Sequence, residues 1–105
     1  MSILTVDVVA PGWEPVREAF IHSFDIKEDR GAGVAVYHHG KCVVDLMGGW
    51  RDKDQTVPYD NDSLQVVFST TKGITSIAVA MCVERGLLNY DEKVATYWPE
   101  FVAKG

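Results

Sequence analysis

The sequence predicts an α+β domain, and three observations predict it. Apolar residues recur at helical spacing over 13–24. Two β-branched runs at 34–38 and 42–47 flank a glycine-containing turn, and a long apolar helical pattern follows Ser69. At 105 residues, the chain has room for one small domain over 1–105. Its composition, 47% hydrophobic and 24% charged, is that of a soluble globular protein rather than a disordered tail or a disulfide-stapled miniprotein.

Along the chain, Pro11-Gly12 precedes a segment in which Val16, Ala19, Phe20, Ile21 and Phe24 fall on one helical face. Glu14, Arg17, Glu18 and His22 are left for water. Glu28-Asp29-Arg30-Gly31 reads as a charged connection. The runs Val34–His38 and Cys42–Met47, joined through His39-Gly40-Lys41, form a β-hairpin. Gly48-Gly49 before Trp50 marks a place where the backbone bends or another group comes close. Residues 51–62, polar and broken by Pro58, read as a long loop. Leu64–Phe68 reads as a strand or strand-like lead-in to Ser69.

Ile74, Ile77, Ala78, Met81 and Cys82 occupy one face of the next helix, and Val79, Ala80 and Val83 make its other face apolar too. A helix apolar nearly all round belongs inside a larger core. Gly86 is its expected stop, and a second short helix is expected from Asp91 to Trp98, capped by Asp91 and ended by Pro99. Two strands alone make a poor sheet, so the hairpin is expected to need partners, with self-association through open strand edges as one outcome.

Composition narrows the function classes. A net charge of −5, with 10 Lys and Arg scattered among 15 Asp and Glu, argues against nucleic acid, which needs a concentrated basic face. No apolar stretch reaches the ~18 residues of a membrane span, and Met1–Val9 lacks the basic start of a signal peptide. Cys42 and Cys82 make no C-x-x-C pair and read as buried thiols in a reducing compartment. The expectation is an intracellular, cytoplasmic protein with no cofactor and no metal.

The chemistry sits at Ser69-Thr70-Thr71-Lys72. Side chains three residues apart on a helix lie about 60° and ~4.5 Å from one another along the axis, so Ser69 and Lys72 share a face. A serine hydroxyl needs a neighbouring base, and a lysine buried at the head of an apolar helix loses solvation of its ammonium form and can accept a proton. The free N–H groups at the helix start favour negative charge developing near Ser69. The tetrapeptide by itself is weak, since a serine N-cap followed by a solvated lysine has the same spelling.

The wider context resembles the β-lactamase-related serine hydrolases, which group penicillin-binding proteins, class C β-lactamases and related esterases. The resemblance rests on Phe68-Ser69-Thr70-Thr71-Lys72 with Ala78–Leu88 behind it, and on Tyr90–Val94 with Tyr97–Phe101. Upstream it includes Gly33–Tyr37 and Gly48-Gly49-Trp50-Arg51-Asp52. It runs from Gly31 to Phe101 and implies the N-terminal part of a β-lactamase/transpeptidase-like fold. By that resemblance Ser69 is the acylated nucleophile and Lys72 its proton-accepting neighbour, acting on a small-molecule ester or amide. The family also carries a Tyr-x-Asn segment and a Lys-Thr-Gly or His-x-Gly segment after its nucleophile, and neither follows Ser69 here. The competing expectation is therefore a catalytically incomplete product or a non-enzymatic interaction piece. A third is a self-contained α+β binding module.

Tyr59-Asp60-Asn61 and His38-His39-Gly40 spell the two later segments but precede Ser69, and read as a turn-rich loop and a hairpin end. His22, His38 and His39 have no ligand spacing. Asp52–Asp62 fails as a calcium loop, because Val57 and Ser63 stand where Gly and Glu are needed. Trp50, on the loop ahead of the nucleophile, reads as a core or groove-lining aromatic.

Overall fold

The structure is a computed structural model that describes residues 2–27 and 29–104. The chain forms two compact units, Met1–Leu64 and Gln65–Gly105.

The first unit is a three-stranded antiparallel sheet with a helix against it. Its elements are β1 (Leu4–Val9), α1 (Glu14–Asp25), β2 (Gly31–His38) and β3 (Lys41–Gly49), with strand order β1-β3-β2. The helix and hairpin stand where the sequence pattern puts them, each within a few residues of the expected ends. β1 was not expected. Its residues Leu-Thr-Val-Asp-Val-Val carry strand alternation over one short run. By pairing along β3 it supplies the third strand that the hairpin needs. His39 and Gly40, with φ of 50° and 76°, form the two-residue turn between β2 and β3.

The core lies around β3. Val44 and Leu46 are fully buried, Val43 nearly so, and Trp13, Val16, Phe20, Val34 and Val36 pack around them. Two adjacent strand residues normally face opposite sides. Here Val36 pairs with Val44 and Tyr37 with Cys42, so β3 carries one extra residue, and this bulge turns both Val43 and Val44 inward. Cys42, next along, is exposed, which corrects the expectation of a buried thiol. Cys82 is half-buried, and both cysteines are free.

Gly49 shows what the double glycine is for. Its φ is +81°, and a Cβ there would lie 2.1 Å from the Arg30 carbonyl oxygen and 2.7 Å from the Phe24 ring. The chain can then pass close under Arg30, whose carbonyl accepts the Trp50 N–H at 2.8 Å.

The polar segment after Trp50 is more ordered than its composition suggested. The Arg51 N–H donates to the Val57 carbonyl at 2.8 Å, Trp50 bridges to Pro58, and Arg51 pairs with Asp60. The Asp52 carboxylate accepts hydrogen bonds from the Thr56 hydroxyl at 2.7 Å, the Val57 N–H at 2.8 Å and the Thr56 N–H at 3.0 Å.

In the second unit a 3-10 turn over Phe68–Thr70 runs into α2 (Thr71–Glu84), followed by α3 (Val94–Tyr97) and a 3-10 turn over Pro99–Val102. Leu64–Val67 forms neither helix nor strand, so the strand reading there is corrected. α2 ends as expected. Gly86, at φ 72°, donates its N–H to the Val83 carbonyl at 3.0 Å, and Leu87 donates to the Cys82 carbonyl at 2.9 Å, a Schellman closure. The expected helix from Asp91 to Trp98 shrinks to four residues capped by Lys93, whose extended backbone delays the helix start past Asp91. None of α2's residues is buried, and within the second unit the 3-10 turn ahead of it is the one element it contacts among the described residues.

Two outcomes follow. Leu46→Ala removes a fully buried side chain from a small core and should lower unfolding free energy by about 3 kcal/mol, read from a urea melt. An unchanged midpoint would remove Leu46 from the core account. The three donors around Asp52, led by the Thr56 hydroxyl, hold its carboxyl down to about 2. A carboxyl lowered by folding stabilises the protein above its ordinary range and loses that contribution as pH falls from about 4 towards 2. Asp52→Asn should therefore flatten the acid limb of the stability profile in that window, being less stable than the parent at neutral pH by a constant amount and converging on it towards pH 2.

Candidate active site

Ser69 is the middle residue of the 3-10 turn Phe68–Thr70, and Lys72 is the second residue of α2. The turn runs straight into the helix, so the two residues lie one turn apart on one continuous helical segment. Residues three apart on such a segment fall on one side of it.

Ser69 does not serve as an N-cap. Thr70 holds the N-cap position of α2 in helical conformation and makes no side-chain capping bond. Among the described residues, the Ser69 hydroxyl and Lys72 ammonium enter no hydrogen bond or ion pair with the protein.

Two expectations about this site are corrected. Lys72 is exposed, as is every residue from Leu64 to Met81, so the desolvation expected at Lys72 is not provided by the described chain. The physical reason is that, among the described residues, the second unit sets no element against α2 besides the 3-10 turn ahead of it. The amides at the helical start are also not all free. Thr70 donates to the Val67 carbonyl at 3.1 Å, and Thr71 donates to the carbonyls of Phe68 and Ser69. The 3-10 turn consumes donors that an abrupt helix start would leave open.

Phe68 is the feature that sequence reading missed. Its φ is +45°, left-handed backbone in a bulky residue whose side chain is 81% exposed. A non-glycine residue in this region costs about 1–2 kcal/mol. Exposure means that side-chain packing does not force the conformation. The chain turns sharply there and presents Ser69 at the mouth of the helix. A single sequence shows no signal for this, because phenylalanine is among the last residues a turn rule would place at positive φ.

The remaining candidates have structural roles. Tyr59 donates its N–H to the Gly49 carbonyl at 2.9 Å and its carbonyl accepts the Thr5 hydroxyl at 2.6 Å, while Asp60 binds Arg51. That ion pair and the N–H of Asp62 hold the Asp60 carboxyl below the usual range. His38 rests against Trp13, with ring centroids 5.8 Å apart, and against His39 at 4.0 Å. Trp50 lines a cleft of about 720 Å³ with Phe24, Arg30 and Lys53 in the first unit. That fits the groove-lining reading.

Comparison with known proteins gives a consistent family. The sequence model of the Beta-lactamase family matches residues 18–105. The chain is 41% identical over 95 residues to the esterase/beta-lactamase LipL of Mycobacterium tuberculosis, a match covering 90% of this chain and 22% of that protein. Among solved structures, a family VIII carboxylesterase superposes with a TM-score of 0.85 at 38% identity, covering 90% of this chain and 26% of that one. A penicillin-binding protein homolog from Caulobacter crescentus superposes with a TM-score of 0.85 at 40% identity, over 95% of this chain and 27% of that one. The chain spans about a quarter of the length of the proteins it matches.

Phe68→Gly should relieve the left-handed strain and stabilise the chain by about 0.5–1 kcal/mol, after allowance for glycine's extra freedom when unfolded. A thermal melt checks this, and a loss of stability would show that the phenyl ring, not the turn, holds the segment.

Proposed function

The chain belongs to the Beta-lactamase family, and from that premise we propose that it carries the nucleophile helix of a serine acyl hydrolase. Ser69 Oγ attacks the carbonyl carbon of a small ester or amide while Lys72 Nζ takes the hydroxyl proton. The tetrahedral adduct collapses, the bond to the alcohol or amine breaks, and the leaving group takes the proton held by Lys72. Water then attacks the acyl-Ser69 ester, releasing the acid and restoring the serine hydroxyl. The observation that carries this reading is the pairing of Ser69 and Lys72 on one helical face, unengaged by other groups, behind a strained turn that presents the serine.

A second reading has its own observation. Ile74 and Ile77 are 64% and 60% exposed, and Lys72 stands in solvent. A water-filled surface weakens both proton transfer and stabilisation of the oxyanion. On this reading the 105-residue chain binds or scaffolds without turnover.

Incubation with a fluorescent fluorophosphonate probe separates the two. Under the first reading the chain is labelled, Ser69→Ala abolishes labelling, and Lys72→Ala slows it by about 10²–10⁴-fold. Absence of labelling in a chain that still melts cooperatively favours the second. Labelling of Ser69→Ala at the parent rate would sink the nucleophile assignment.

A further inference from the structure

We draw no further inference here: the strongest candidate, the cleft of about 720 Å³ that Phe24, Lys27, Arg30, Trp50 and Lys53 line in the first unit, is open within a chain that spans about a quarter of its relatives' length, and nothing in the structure shows what covers it.

Discussion

The first unit depends on the burial of one strand. Val44 and Leu46 have no contact with water, and β1, β2 and α1 are arranged so that this remains true. β1 and β2 cover the two hydrogen-bonding edges of β3, and α1 covers its apolar face with Val16 and Phe20. The bulge at Val43 and Val44 adds one more apolar side chain to the same side. At about 25 cal/mol per Å² of apolar surface removed from water, a few such side chains are what a unit of this size has to set against chain entropy. Gly49 and the hydrogen-bonded segment behind it serve the same end, because they let the chain leave β3 without opening its covered edge.

The second unit has no comparable centre. α2 is a regular helix with a well-formed Schellman end, yet none of its residues is buried. Backbone closure and side-chain burial are separate requirements, and α2 satisfies the first alone. The same exposure governs the chemistry. The spacing of Ser69 and Lys72 is a local property of one helical turn, whereas low-dielectric surroundings for the proposed chemistry would come from packing.

Much of the architecture could be read from residue patterns for the same reason. Helix α1, the hairpin and α2 each follow from a period within their own residues, and Gly86 stops α2 through its own backbone freedom. β1 was missed because six alternating residues at a chain start carry little weight until a partner edge exists to receive them. The Asp91 helix was overextended because a capping residue is useful only if the next residues turn helical, and Lys93 stays extended. Cys42 was misplaced because a one-residue bulge next to it changes which way its neighbours point.

The sequence by itself determined the α+β character, the serine and lysine on one helical face, and a family pattern from Gly31 to Phe101. All of these depend on spacing along the chain. Tertiary structure alone decided the third strand, the double burial at Val43 and Val44 and the exposure of Lys72. Each of those depends on which distant backbone or side chain is present, or absent, at a given point in space, and spacing along the chain does not encode that.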